Sequence, residues 1–172
     1  MAKVLAPEHY QGIGEIVVVW AKLEAHVFKV LHTLTRVKLK EALIVYWQMG
    51  YRERLTVLHG LIIAYHPNKN DKLRQDFEAL AKRMESAYVT RNVAAHSIWF
   101  PGINADQISP FDFNAKGSTL KIEGRGDKRS SFDPQAFHKQ ALVIDRLAED
   151  FKHFFSTNFK VRFLHKKNDS LN

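Results

Sequence analysis

The chain has 172 residues, with 26 Lys and Arg against 18 Asp and Glu, a formal net charge of +8. A chain this long buries roughly 70% of its unfolded surface on its own, and the absence of cysteine excludes a disulfide framework, a thiolate zinc site and a cysteine nucleophile. The basic balance points to an acidic partner, nucleic acid first, although Arg36 to Lys40, Lys128-Arg129 and the tail from Lys160 are each also what a solvated surface needs.

Met1 to Tyr10 lacks an apolar signal core, and the longest apolar run, Ile16 to Ala21, is too short to span a bilayer. The chain therefore reads as a soluble, cytoplasmic protein with no membrane partner. Gly14 to Leu34 is a predicted amphipathic helix, because Ile16, Trp20, Leu23, Val27, Leu31 and Leu34 recur at steps of three and four. A basic loop follows at Arg36 to Lys40. Glu41 to Met49 reads as a short helix that ends at Gly50. Tyr51 to Tyr65 resumes the helical period and stops before Pro67, since the residue preceding a proline disfavours helix. Asp71 to about Ala95 is the fourth helix.

Pro101-Gly102, Ser109-Pro110, Lys116-Gly117 and Gly124 to Asp127 then punctuate the chain. Between them lie strand-like pieces at Ser97 to Phe100, Gln107 to Phe113 and Thr119 to Glu123. Asp133 and Pro134 open the last helix as N-cap and first helical residue. The expected fold is all-α: a four- to five-helix bundle with a small antiparallel β-hairpin, or three-stranded, insertion at about 97–131 before the last long helix. One domain is expected over residues 1–165, with a basic, polar tail at 166–172.

Two charged residues fall on apolar faces. Glu24 lies within the stripe of the first helix, flanked by Leu23 and Val27, where a carboxylate is costly unless partnered. Arg91 lies 18 residues after Leu73, five turns at 3.6 residues each, and so points where Leu73, Leu80 and Met84 point. The expected pair is Glu24 with Arg91, with Arg52 and His59 as rival partners for the acid. Asn92 and His96 are four apart and share a face. An arginine stabilises a phosphate dianion and a histidine moves a proton near neutral pH, so Arg91, Asn92 and His96 hold the tools for metal-independent phosphodiester cleavage.

The stretch Arg91-Asn92-Val93-Ala94-Ala95-His96, late in a helix of an all-α chain, resembles the signature of the HEPN superfamily (higher eukaryotes and prokaryotes nucleotide-binding): Arg, a polar residue, a short spacer, then His. The resemblance extends to the four helices, the motif near the end of the fourth and the closing helix. It implies a metal-independent ribonuclease site, at a homodimer interface where two copies face one cleft, with RNA as substrate and no cofactor. In that frame His96 is the general acid or base, Arg91 stabilises the pentacoordinate phosphorus and Asn92 orients the phosphate or the histidine. Glu24 would support the site. The resemblance also implies toxin or defence biology, with an antitoxin or other partner protein. Some toxin members carry a tyrosine two positions after the histidine; this chain has Ile98 there, which argues against an antitoxin that modifies that tyrosine. Two alternatives remain open. One is a noncatalytic module of the same fold that binds RNA, a nucleotide or a protein. The other is a structural oligomer in which Arg91 and His96 only satisfy one another and Glu24.

Trp99 and Phe100 offer rings for base stacking or for packing the insertion onto the helices. Lys121, Arg125, Lys128 and Arg129 are candidate phosphate contacts, or a solvated turn. The nine histidines include no pair of strong zinc spacing, so no metal site is expected.

Overall fold

The computed structural model describes residues 5–116, 119–124 and 131–163. Lys128, Arg129 and the tail 166–172 lie outside the described residues, as does the Arg125 position. Among the described residues five helices run in chain order, α1 (Pro7–Thr35), α2 (Leu39–Gln48), α3 (Tyr51–Tyr65), α4 (Lys72–His96) and α5 (Pro134–Phe159). A sheet of β1 (Ile98–Pro101), β2 (Ile108–Lys116) and β3 (Thr119–Gly124) sits between α4 and α5 in sequence, antiparallel throughout and ordered β1-β2-β3. The all-α fold and its small β insertion are as the periodicity reads. The one large departure in helix bounds is the start of α1, which begins at Pro7. Proline suits the first helical turn, where its missing N–H would have no partner, and Gly12 and Gly14 mask the helical period beyond it.

The helix ends follow from side chains. Asp71 accepts the Leu73 N–H at 2.9 Å and so caps α4. Its other carboxylate oxygen lies 2.7 Å from His66 Nδ1. Hydrogen bonding to His66, and then to the Leu73 N–H, holds the Asp71 carboxyl below its ordinary value. Asp133 accepts the Ala136 N–H at 2.6 Å ahead of Pro134 and caps α5.

The chain forms two compact units, residues 1–22 with 83–146 and residues 23–82 with 147–172. In the first, segments of α1, α4 and α5 and the sheet enclose Ile16, Trp20, Met84, Ile108, Phe137 and Ile144. Gly12 on α1 allows close approach to α5, since a Cβ there would stand 2.5 Å from the Phe137 Cβ. His9, 3% exposed, is fully used: its Nδ1 accepts the Ala6 N–H at 3.1 Å, so its Nε2–H donates to the Asp106 carbonyl at 3.0 Å. That bond ties the start of α1 to the loop between β1 and β2. Ile108 and Phe132 exchange backbone hydrogen bonds of 3.0 and 2.8 Å and pin the return of the chain into α5.

In the second unit Leu23, Leu31, Leu58, Ile62, Phe77, Phe151 and Phe155 are fully buried. Phe151 and Phe155 stand 4.7 Å apart, ring centre to ring centre, and Phe77 meets Phe155 edge-on at 6.0 Å. A hydroxyl relay fixes α2: Tyr46 donates to Thr35 Oγ1, and Thr35 donates to the Leu31 carbonyl, both at 2.7 Å.

Candidate functional site

The buried stripe of α4 runs Phe77, Leu80, Met84 and Ala87 at alternating steps of three and four, and continues through Arg91 to Ala94. The arginine therefore occupies a core-facing position, as its helical phase predicts. Its guanidinium Nε is buried with no hydrogen-bond partner. Its Nη1 reaches out along the helix and donates to Asn92 Oδ1 at 3.0 Å and to His96 Nε2 at 2.9 Å. Arginine has no acceptor, so the bond assigns the Nε2 lone pair to Arg91 and the ring proton to Nδ1. His96 is exposed at the last residue of α4. The three motif side chains are thus brought together: a half-buried cation, a neutral amide that steadies it, and an imidazole open to solvent.

The Glu24–Arg91 pair expected from helical phase is corrected. Glu24 Oε1 lies 3.5 Å from Arg54 Nη1. Arg54 is aimed by its own Nε, which donates to the Tyr46 and Met49 carbonyls at 2.9 and 3.0 Å. Helical phase identifies which side of a helix a charge faces, but not which residue faces it, and Arg54 on α3 fills that place. Arg54 is not among the expected rivals, and His59, which is, stacks on Phe77 at 5.9 Å. Glu24 therefore has its partner within its own unit. Among the described residues no carboxylate lies within salt-bridge reach of Arg91.

Ser97 follows the motif and closes the helix, its N–H donating to the Val93 carbonyl at 3.2 Å. Its Oγ is buried and without a partner, like Arg91 Nε. Trp99 on β1 is half-buried, packed edge-on against Phe132 at 5.9 Å and Phe137 at 5.3 Å. Phe100 packs on Phe111 at 5.0 Å. The rings after the motif thus seat the sheet on α5. They also border a cavity of about 230 Å³ whose α4 wall includes Val93 and Ala94, from within the motif. Sequence reasoning missed this cavity and the roles of Phe132 and Gln140 in it. The one signal available was the aromatic density around Trp99, Phe132 and Phe137.

Among the described residues no three His, Asp or Glu side chains are placed to hold a metal ion, and no helix is long and apolar enough to cross a membrane. No family model, curated protein or solved structure matches this chain.

Proposed function

We propose that the chain is a metal-independent endoribonuclease of HEPN type, with Arg91, Asn92 and His96 as its reacting set. The observation that carries the reading is the 2.9 Å contact between Arg91 Nη1 and His96 Nε2 on an exposed helix end. It places a fixed positive charge beside a proton-transfer group, the two components that cleavage through the ribose 2′-hydroxyl requires. When a phosphate takes the Arg91 donor, the Nε2 lone pair is released. It then accepts the 2′-hydroxyl proton as the 2′-oxygen bonds to phosphorus. The imidazolium returns a proton to the 5′-oxygen as its bond to phosphorus breaks. The products are a 2′,3′-cyclic phosphate and a 5′-hydroxyl. Asn92 Oδ1 holds the guanidinium in register throughout.

The homodimer that the resemblance implies is part of this proposal, as is action in a toxin or defence setting with a partner protein. RNA cleavage in EDTA is the test. Wild type yields cyclic phosphate ends, His96→Ala does not, and DNA of the same sequence stays intact. Sedimentation velocity of the cleaving sample reports the dimer.

One observation favours a second reading, a noncatalytic binding module. In this structure the lone pair that a general base needs is already engaged by Arg91. Wild type that binds RNA and leaves diverse RNAs uncut in EDTA supports the module over the enzyme.

A further inference from the structure

The wall of the 230 Å³ cavity beside the motif has a composition that selects its occupant. Trp99 and Phe132 are half-buried and Phe137 is 2% exposed. Phe132 and Phe137 lie 5.5 Å apart at 33°, with Trp99 edge-on to both. Among the described residues no charged side chain lines the cavity, so the part of a ligand that meets this wall is neutral. Apolar aromatic walls hold water poorly and favour a flat ring that takes the place of water.

Two polar side chains break the apolar lining. Thr90 donates its hydroxyl proton to the Ser86 carbonyl at 3.2 Å, which leaves the lone pairs of Oγ1 to accept. Gln140 makes no side-chain hydrogen bond among the described residues, so its amide offers both donors and an acceptor. An apolar slot with one amide and one hydroxyl acceptor matches the face and edge of a nucleobase. The size agrees, since sites for drug-sized molecules run about 300–1,000 Å³ and this one has room for a single base. Val93 and Ala94 belong both to the cavity wall and to the Arg91–His96 span. A base seated here brings its ribose and phosphate to the turn of α4 that carries the motif.

We infer that this cavity is a nucleobase subsite, filled by one base of a single-stranded RNA or of a free nucleotide. The inference deepens the ribonuclease reading and rests on it for the class of ligand, but base binding itself requires no turnover.

The test is binding to the full-length chain by calorimetry. The probes are nucleoside monophosphates, base-free ribose 5-phosphate, and a short single-stranded RNA with and without one abasic position. The expected result is binding of at least one nucleoside monophosphate at least tenfold tighter than ribose 5-phosphate. Val93→Phe, which fills the cavity, abolishes that difference and leaves ribose 5-phosphate binding unchanged. Gln140→Leu keeps the volume, removes the amide and weakens the nucleotide several-fold, so the inference stays testable should Val93→Phe fail to fold. Free nucleotides binding without a loss at the abasic position identifies the mononucleotide as ligand. A base-dependent loss in the oligonucleotide identifies RNA. Equal affinity for ribose 5-phosphate and all nucleotides, or wild-type nucleotide binding by both variants, overturns the subsite. RNA cleavage without base-dependent binding overturns the subsite alone. Base-dependent binding without cleavage overturns the enzyme alone.

Discussion

At the scale of the residue, Arg91 is the side chain whose position is hardest to explain by stability. A guanidinium with a buried Nε and no carboxylate among its described neighbours costs free energy that an aliphatic side chain at the same stripe position would not. The return on that cost is an Nη1 held on His96. Within the proposed reaction, His96→Ala lowers turnover by about 10²- to 10⁴-fold, the usual contribution of a positioned acid or base, with an unchanged melting temperature, because the ring is exposed. Arg91→Lys does not rescue activity, since lysine lacks the planar fork that bonds Asn92 and His96 together. The kcat of each variant on a defined RNA, beside its thermal melt, checks both statements. The inward phase of Arg91 was legible because one residue lies every 100° on a helix and five turns carry the phase without slippage. The partner of Glu24 was not, because the pairing is decided by where α3 places Arg54, thirty residues away in sequence. His9 was illegible for the same reason. Its partner is the Asp106 carbonyl, 97 residues on. His9→Ala strands that carbonyl and the Ala6 N–H, and a loss of about 1–3 kcal/mol is expected by urea denaturation.

At the scale of the element, the helices carry their own start signals, which is why their bounds could be read. Asp133-Pro134 announces α5, and its cap is a 2.6 Å bond from the Ala136 N–H. Asp133→Ala is expected to cost about 1 kcal/mol, the usual worth of an N-cap, measured by chemical denaturation. The interior of α5 is a separate matter. Phe155 is fully buried among rings of its own helix and Phe77, so Phe155→Ala leaves a cavity and costs about 3–5 kcal/mol. The cap of α4 adds a pH dependence. Folding depresses the Asp71 pKa, through His66 first and the Leu73 N–H second. A depressed carboxylate stabilises above its unfolded value, and the stabilisation fades as pH falls through the folded value. Asp71→Ala therefore lowers the melting temperature at neutral pH. The gap to wild type narrows below about pH 4, where the unfolded carboxyl titrates. Melts from neutral to acid pH check it, and a gap that widens toward acid contradicts the cap. The strands were legible from their turn residues, while the Ile108–Phe132 bridge was not, since Phe132 is an isolated partner with no strand pattern of its own.

At the scale of the whole molecule, the net charge of +8 sets what the chain attracts before any site is reached. Part of the positive charge is already matched. Lys22 lies 2.8 Å from Asp145, Lys72 lies 2.6 Å from Asp76, and Arg74 lies 3.2 Å from Glu78. Arg36 and Lys38 before α2, Lys40 in its first turn, and Lys160 and Arg162 after α5, are exposed and have no acid partner among the described residues. Such cations hold a polyanion without reading its sequence, whereas in the proposed reaction Arg91 meets one phosphate at one place. The two contributions separate by salt. The logarithm of affinity for single-stranded RNA falls linearly with the logarithm of salt concentration, by about 0.7 for each phosphate neutralised. Arg91→Ala should therefore flatten that slope by about 0.7 and abolish cleavage. Lys38→Ala combined with Lys40→Ala should flatten it by up to twice as much, weaken all RNA sequences alike, and leave the cleavage rate of bound RNA unchanged. Fluorescence anisotropy of labelled RNA over a salt series reads both slopes. If wild-type affinity is insensitive to salt, the ligand is not a polyanion, and the charge excess serves only to keep the chain in solution.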